Sequence, residues 1–249
     1  MHLLSEAVLE STGERIVLGR SDHAVEQWEL EHVARYVFAR RYARGRFVVD
    51  VACGTGYGSA ILAEAGARRV HGYDVDQRSI DFATREWAGS GVSFAVADAC
   101  RLPEYDATID AVVTFETIEH LPDPSVFVEE TARILRPGGL LLLSTPDREV
   151  YNWADHRDDG GNPFHVSEMS RHELVALLEG KFSIKRLLGQ VPVPGYPYEG
   201  SPQPEPFPSR ILPVVQRDRR RARDPYEPAR ITEPTKYVFV IARRKRRPR

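Results

Sequence analysis

Apolar residues along the chain follow two alternating rhythms: short β-branched or leucine-rich runs, and longer stretches at helical spacing. Across residues 24–43, Val25, Trp28, Val33, Tyr36, Val37 and Phe38 form one apolar face and predict a helix ahead of the first strand. Strand and helix patterns then alternate through 47–65, 69–88, 92–97, 109–135 and 139–145. Ser170 and Glu173 form a capping-box pair opening a helix through Leu178, and Phe182 to Leu188 reads as a sixth strand. A seventh strand, 236–242, comes only after a segment, 191–234, that holds eleven of the chain's eighteen prolines. The repeated βα alternation predicts one α/β domain with a Rossmann-like, seven-stranded, mostly parallel sheet. It divides into an N-terminal helical cap (1–44), a core (45–190), a proline-rich insertion (191–234), the last core strand (235–242) and a basic tail (243–249). A connection as long as the insertion is expected to serve as a lid, an oligomer arm or a disordered link.

The first strand carries the most specific chemistry. Residues 48–58, VVDVACGTGYG, run from a β-branched strand through Asp50 into a loop in which Gly54, Gly56 and Gly58 alternate with other residues. Glycine allows positive φ and close approach of a ligand, and the following helix, expected from Ser59 through Ala65, aims its amide-rich end at the same place. About 24 residues beyond Asp50 a second strand ends at Asp74, where a carboxylate can accept both hydroxyls of a ribose; alone, Asp74 could equally cap a helix. The spacing is G-x-G-x-G, so the dinucleotide fingerprint G-x-G-x-x-G fails at its third glycine. Asp50 beside the loop suits an ammonium group better than a pyrophosphate.

With these features the chain resembles the class I S-adenosylmethionine-dependent methyltransferases. Asp98 and Ala99, after a short third strand, resemble the family's adenine-reading position, and residues 135–146, LRPGGLLLLSTP, its turn into strand five. The resemblance spans roughly residues 45–190. It implies S-adenosylmethionine as cofactor, with contacts at Asp50, Cys53, Gly54, Thr55, Gly56, Gly58, Asp74, Val75, Asp98, Ala99 and Phe115.

After strand four comes the second constellation. If residues 116–120 begin a helical turn, Glu116, Glu119 and His120 fall at i, i+3 and i+4 on one face. Two carboxylates and an imidazole suit a hard cation, Mg²⁺ or Mn²⁺, better than Zn²⁺. His165, in the loop after strand five, offers a fourth ligand. The arrangement resembles the Glu-x-x-Glu-His metal turn of small-RNA 2′-O-methyltransferases, with His165 matched by order alone. A closer likeness, over residues 13–190 and including Gly13 to Arg15 and the 162–165 NPFH motif, is to bacterial sugar and polysaccharide methyltransferases. That likeness implies a saccharide or small-molecule acceptor. Glu-His-Leu after strand four also occurs in metal-free members, where the histidine packs or serves as base. Glu119, His120 and His165 are the catalytic candidates on either reading, and the acidic loop Asp155, His156, Asp158, Asp159 could add a ligand or be solvated.

Composition narrows the picture further. The net charge of −2 proposes no nucleic-acid partner, although 217–223 and 243–249 are basic runs that could meet phosphates. No run of 18 apolar residues and no signal-peptide pattern is present, so a cytoplasmic protein away from membranes is expected. A homodimer is compatible with a proline-rich arm. The two cysteines, Cys53 and Cys100, make no disulfide framework and read as small packing residues. The expected activity is O-methylation of a sugar, polysaccharide or glycosylated metabolite with vicinal hydroxyls, assisted by Mg²⁺ or Mn²⁺. The alternatives are metal-independent N- or O-methylation of an amino sugar, polyketide or quinone-like metabolite, 2′-O-methylation of RNA, or cofactor binding by a scaffold without turnover.

Overall fold

A computed structural model describes residues 27–89, 91–154, 162–192, 229–230 and 235–246. Gly13 to Arg15, the acidic loop 155–159, nearly all of the proline-rich insertion and the last residues of the basic tail lie outside the described residues.

One sheet organises the chain. Strands β1 (Phe47–Val51), β2 (Arg69–Asp74), β3 (Val92–Val96), β4 (Ile109–Phe115), β5 (Leu135–Pro146), β6 (Phe182–Pro192), β7 (Ala229–Arg230) and β8 (Thr235–Arg244) stand in the order β3-β2-β1-β4-β5-β8-β6-β7. The first five are parallel; β8 enters antiparallel between β5 and β6. The seven expected strands are all present, and the two-residue β7 adds an edge to β6. Strand order reverses beside β1, so the crevice at the carboxyl ends of β1 and β4 is where such a sheet takes its ligands.

Side-chain alternation gives the sheet two cores. From β1, Val49 and Val51 join Phe127, Val128 and Ile134 of helix α4 (Pro124–Ile134) and Leu174 and Leu178 of α6 (Arg171–Glu179). Val48 faces the other way, towards Tyr36 and Phe38 of α1 (Gln27–Ala39) and Leu62 of α2 (Tyr57–Glu64). Each fully buried Leu, Ile, Val or Phe contributes about 1.5–3 kcal/mol, which is what fixes these helices to their faces. The helix foreseen over 24–43 is α1 followed by a 3-10 turn at Arg40–Tyr42.

Helix ends follow local chemistry. Asp76 caps α3 (Gln77–Trp87) through the amides of Arg78 and Ser79, Asp123 caps α4 ahead of Pro124, and the Ser170–Glu173 capping box is formed as expected. The cap of α3 is therefore Asp76, not Asp74. Helix α5 (Arg148–Ala154) follows β5 directly.

Candidate active site

The half of the crevice expected to take the cofactor is a backbone structure. Past β1 the chain turns through Ala52, Gly54 and Gly56 with φ of 57°, 53° and 83°. A Cβ on Gly54 would meet no protein atom within 4 Å, whereas one on Gly56 would come within 2.6 Å of Ala83 and 2.8 Å of Phe94. Gly54 thus borders open space, and Gly56 is required by both conformation and packing. Gly58 departs from the expectation: it lies inside α2, outside the positive-φ set, and its missing Cβ makes room for the Tyr36 ring.

Asp74 anchors the loop, its Oδ2 accepting from the Gly54 amide at 2.8 Å and its Oδ1 from the Asp76 amide at 2.9 Å. Ribose recognition would have to share these oxygens. Val75 is 76% exposed and Val96 43%, so the ends of β2 and β3 present an apolar surface suited to a purine face. Asp98 is exposed beside them and accepts from the Cys100 amide; Ala99 is half-buried in the same turn.

Asp50 does not face the ligand side. Residue alternation along β1 turns it under α1 and α2, where it is 0% exposed and accepts from Tyr36 Oη at 3.0 Å and Ser59 Oγ at 2.6 Å. Burial pushes its carboxyl up to about 7 against the pull of those two hydrogen bonds. Phe115 is likewise a core residue, 4.9 Å from the Tyr36 ring and 5.2 Å from Phe239. Cys53 and Thr55 are buried, and burial raises the Cys53 thiol well above its ordinary range.

The half beyond β4, where the catalytic candidates lie, is built from side chains far apart in sequence. No α-helical turn starts at Glu116; φ there is 52°, and a 3-10 turn covers only Ile118–His120. The i, i+3, i+4 face is therefore not formed. Glu116 Oε1 instead accepts from Ser144 Oγ at 2.7 Å and pairs with Arg35 at 3.2 Å. Glu119, His120 and His165 do come together, each offering a ligand atom within 4.8 Å of the others, and Glu116 lies outside that group.

Glu119 is fully buried. Its Oε2 accepts from Thr145 Oγ1 at 2.9 Å, and its Oε1 has no hydrogen-bond partner among the described residues. Burial first, and the neighbouring Glu116 charge second, raise its carboxyl well above the usual range. The imidazoles of His120 and His165 meet edge to face at 4.9 Å. His120 Nδ1 faces the Phe164 carbonyl at 2.9 Å and His165 Nδ1 faces Glu168 Oε1 at 2.5 Å. Donation at Nδ1 makes Nε2 the acceptor nitrogen of each ring, as required of a metal ligand or a base. His165 Nε2 faces the Asn162 amide at 3.1 Å, and the Ser167 amide ties this loop to the Glu119 carbonyl.

Several residues of the crevice escape sequence reasoning: Arg35, Tyr36, Ser59, Ser144, Thr145, Glu168, Gln190 and Tyr237. Three left a trace. Ser144 and Thr145 end an apolar strand with paired hydroxyls, and Glu168 follows His165 at i+3. Arg35 and Gln190 are 155 positions apart, and nothing local announces their contact.

A methyltransferase-domain family model matches residues 49–143. A probable S-adenosylmethionine-dependent methyltransferase of Mycolicibacterium smegmatis is 37% identical over 184 residues, covering 74% of this chain and 69% of that protein. A ubiquinone biosynthesis O-methyltransferase of Idiomarina loihiensis is 36% identical over 112 residues, 44% of this chain and 46% of that one. Among solved structures, a methyltransferase bound to the Haloferax volcanii Trm112 activator superposes with a TM-score of 0.60 at 20% identity, over 89% and 92% of the two chains, a likeness of fold.

Proposed function

Because the chain belongs to the S-adenosylmethionine-dependent methyltransferases, we propose that it moves the methyl group to a hydroxyl oxygen, with a divalent ion held at Glu119, His120 and His165. The acceptor in this reading is a sugar or glycosylated metabolite with vicinal hydroxyls. The observation that carries it is the Glu119–His120–His165 group, in which a buried carboxylate oxygen lacking a described partner sits with two imidazoles whose Nδ1 atoms are engaged. Those residues fit an ion: one carboxylate oxygen and two imidazoles lie within 4.8 Å of one another, an ion would take His165 Nε2 from the Asn162 amide, and three protein ligands leave positions for an acceptor. Such an ion would orient adjacent hydroxyls and lower their pKa.

The chain's own contribution is geometric. The glycine loop and Asp74 hold the donor, and the 3-10 turn with the 162–168 loop holds the acceptor, so that oxygen and methyl carbon approach in line. As the new C–O bond forms and the S–CH₃ bond breaks, S-adenosylhomocysteine is released and the hydroxyl proton passes to solvent or to a neighbouring base. Support for oxygen as the acceptor atom comes, loosely, from the likeness to a ubiquinone biosynthesis O-methyltransferase.

One observation favours a metal-free second reading. The short His165–Glu168 contact, both side chains mostly buried, is how a general base is oriented, and His165 Nε2 would then take the proton. RNA methylation has no comparable support among the described residues. Turnover on a panel of glycosides and catechols, with and without EDTA, separates the two readings. Loss of activity in chelator and its return with Mn²⁺ or Mg²⁺ is expected; full activity in EDTA leaves the His165–Glu168 base.

A further inference from the structure

Arg35 is the largest charged side chain buried among the described residues, 2% exposed. It is held from several directions: Nε donates to Gln190 Oε1 at 2.7 Å, the guanidinium lies 4.4 Å from the Tyr237 ring centroid, and one amine pairs with Glu116. Gln190 is itself fixed by donating to the Glu31 carbonyl at 2.8 Å. Ser144 donates to the same Glu116 oxygen that Arg35 pairs with. Withdrawing Arg35 would leave a buried charge uncompensated, so Glu116 is held firmly. Yet Glu116 stands only three residues before Glu119, and it is held on Arg35 apart from the Glu119, His120 and His165 group.

Resting on the ion reading above, we infer that Arg35 sets which ion the site takes. By holding Glu116 on its own side it leaves one carboxylate and two imidazoles, a donor set that favours a first-row ion such as Mn²⁺ over Mg²⁺. Mg²⁺ seeks oxygen ligands, whereas imidazole suits the later metals, and a second carboxylate would tilt the set towards Mg²⁺. Arg35 is a positioning residue here: it touches Glu116, not the ion.

Ion affinity tests this without turnover. Mn²⁺ is titrated into the S-adenosylhomocysteine-bound chain with the free-ion electron paramagnetic resonance signal as readout, and Mg²⁺ is measured by competition. Wild type and Arg35→Lys should prefer Mn²⁺. In Arg35→Gln the released Glu116 should narrow that preference by about tenfold or more, the scale on which residues behind the ligands change metal affinity. The Arg35→Gln, Glu116→Gln pair removes both charges together and should keep the wild-type ratio. Equal S-adenosylhomocysteine affinity across the set establishes folding. The inference is overturned if Arg35→Gln leaves the ratio unchanged, or if the double variant loses Mn²⁺ binding. Wild type binding neither ion would instead remove the ion reading on which it rests.

Discussion

The two halves of the crevice are made by different means. The donor half comes from one contiguous βαβ stretch, and its decisive contacts are backbone ones: the positive-φ turn at Gly54 and Gly56, and the Gly54 amide on Asp74. The half proposed for the acceptor is assembled from α1, the ends of β4, β5 and β6, the start of β8 and the 162–168 loop, and its long-range side-chain bonds span up to 159 positions. A donor common to many reactions can be met by a fixed local motif. An acceptor particular to one reaction is met by side chains that can change without disturbing the sheet.

That division can be broken on purpose. The largest effect is expected from Gly56→Ala, which combines a left-handed Cβ with contacts of 2.6 and 2.8 Å. Strain and overpacking together cost about 2–5 kcal/mol, so S-adenosylhomocysteine affinity should fall by about a hundredfold or more while Mn²⁺ binding persists. Glu119→Gln should do the reverse, keeping nucleoside affinity by calorimetry and losing about a hundredfold in Mn²⁺ affinity. Loss of both ligands in either variant would mean that the halves are one coupled unit.

Asp50 gives a subtler test, because its two oxygens are bound inside the fold by Tyr36 and Ser59. Its carboxyl titrates near 7 in the fold against an ordinary 3.8, so the folded chain binds the proton more tightly than the unfolded one. The stability it contributes is complete below pH 4 and is lost as pH rises through 7, a displacement worth about 4 kcal/mol. Tyr36, Ser59 and the more distant Asp74 are the groups facing it. In denaturant titrations at pH 5 and pH 8, Asp50→Asn should flatten this dependence; an unchanged slope would assign it elsewhere. Smallest is Ser170→Ala, which removes a helix cap that belongs to neither proposed ligand group. It should cost about 1 kcal/mol in unfolding experiments and leave both affinities intact.

The same division explains what the sequence made legible. The succession of strands and helices, the glycine turn and the α6 capping box follow from local pattern, and all are present. Asp50 stands beside the glycine loop in sequence, yet the alternation of its strand carries its carboxylate inward to Tyr36 and Ser59, which no local pattern announces. Gly58 was assigned a turn conformation when its role is to admit the Tyr36 ring. Glu116 was expected with Glu119 and His120 on helical spacing, but a left-handed residue and a 3-10 turn replace that helix. Its partner, Arg35, lies 81 positions upstream, on an amphipathic helix whose pattern gives no hint that a charged side chain crosses to the strand ends.

The central claim is an ion site made by Glu119, His120 and His165 beside the donor crevice. Anomalous diffraction at the manganese edge, from crystals grown with S-adenosylhomocysteine and Mn²⁺, tests it most directly. The expected result is one manganese peak bonded to a Glu119 oxygen and the Nε2 atoms of His120 and His165, with Glu116 still on Arg35. No peak at that group under saturating Mn²⁺ would contradict the account and leave His165 and Glu168 as a base and its orienting partner.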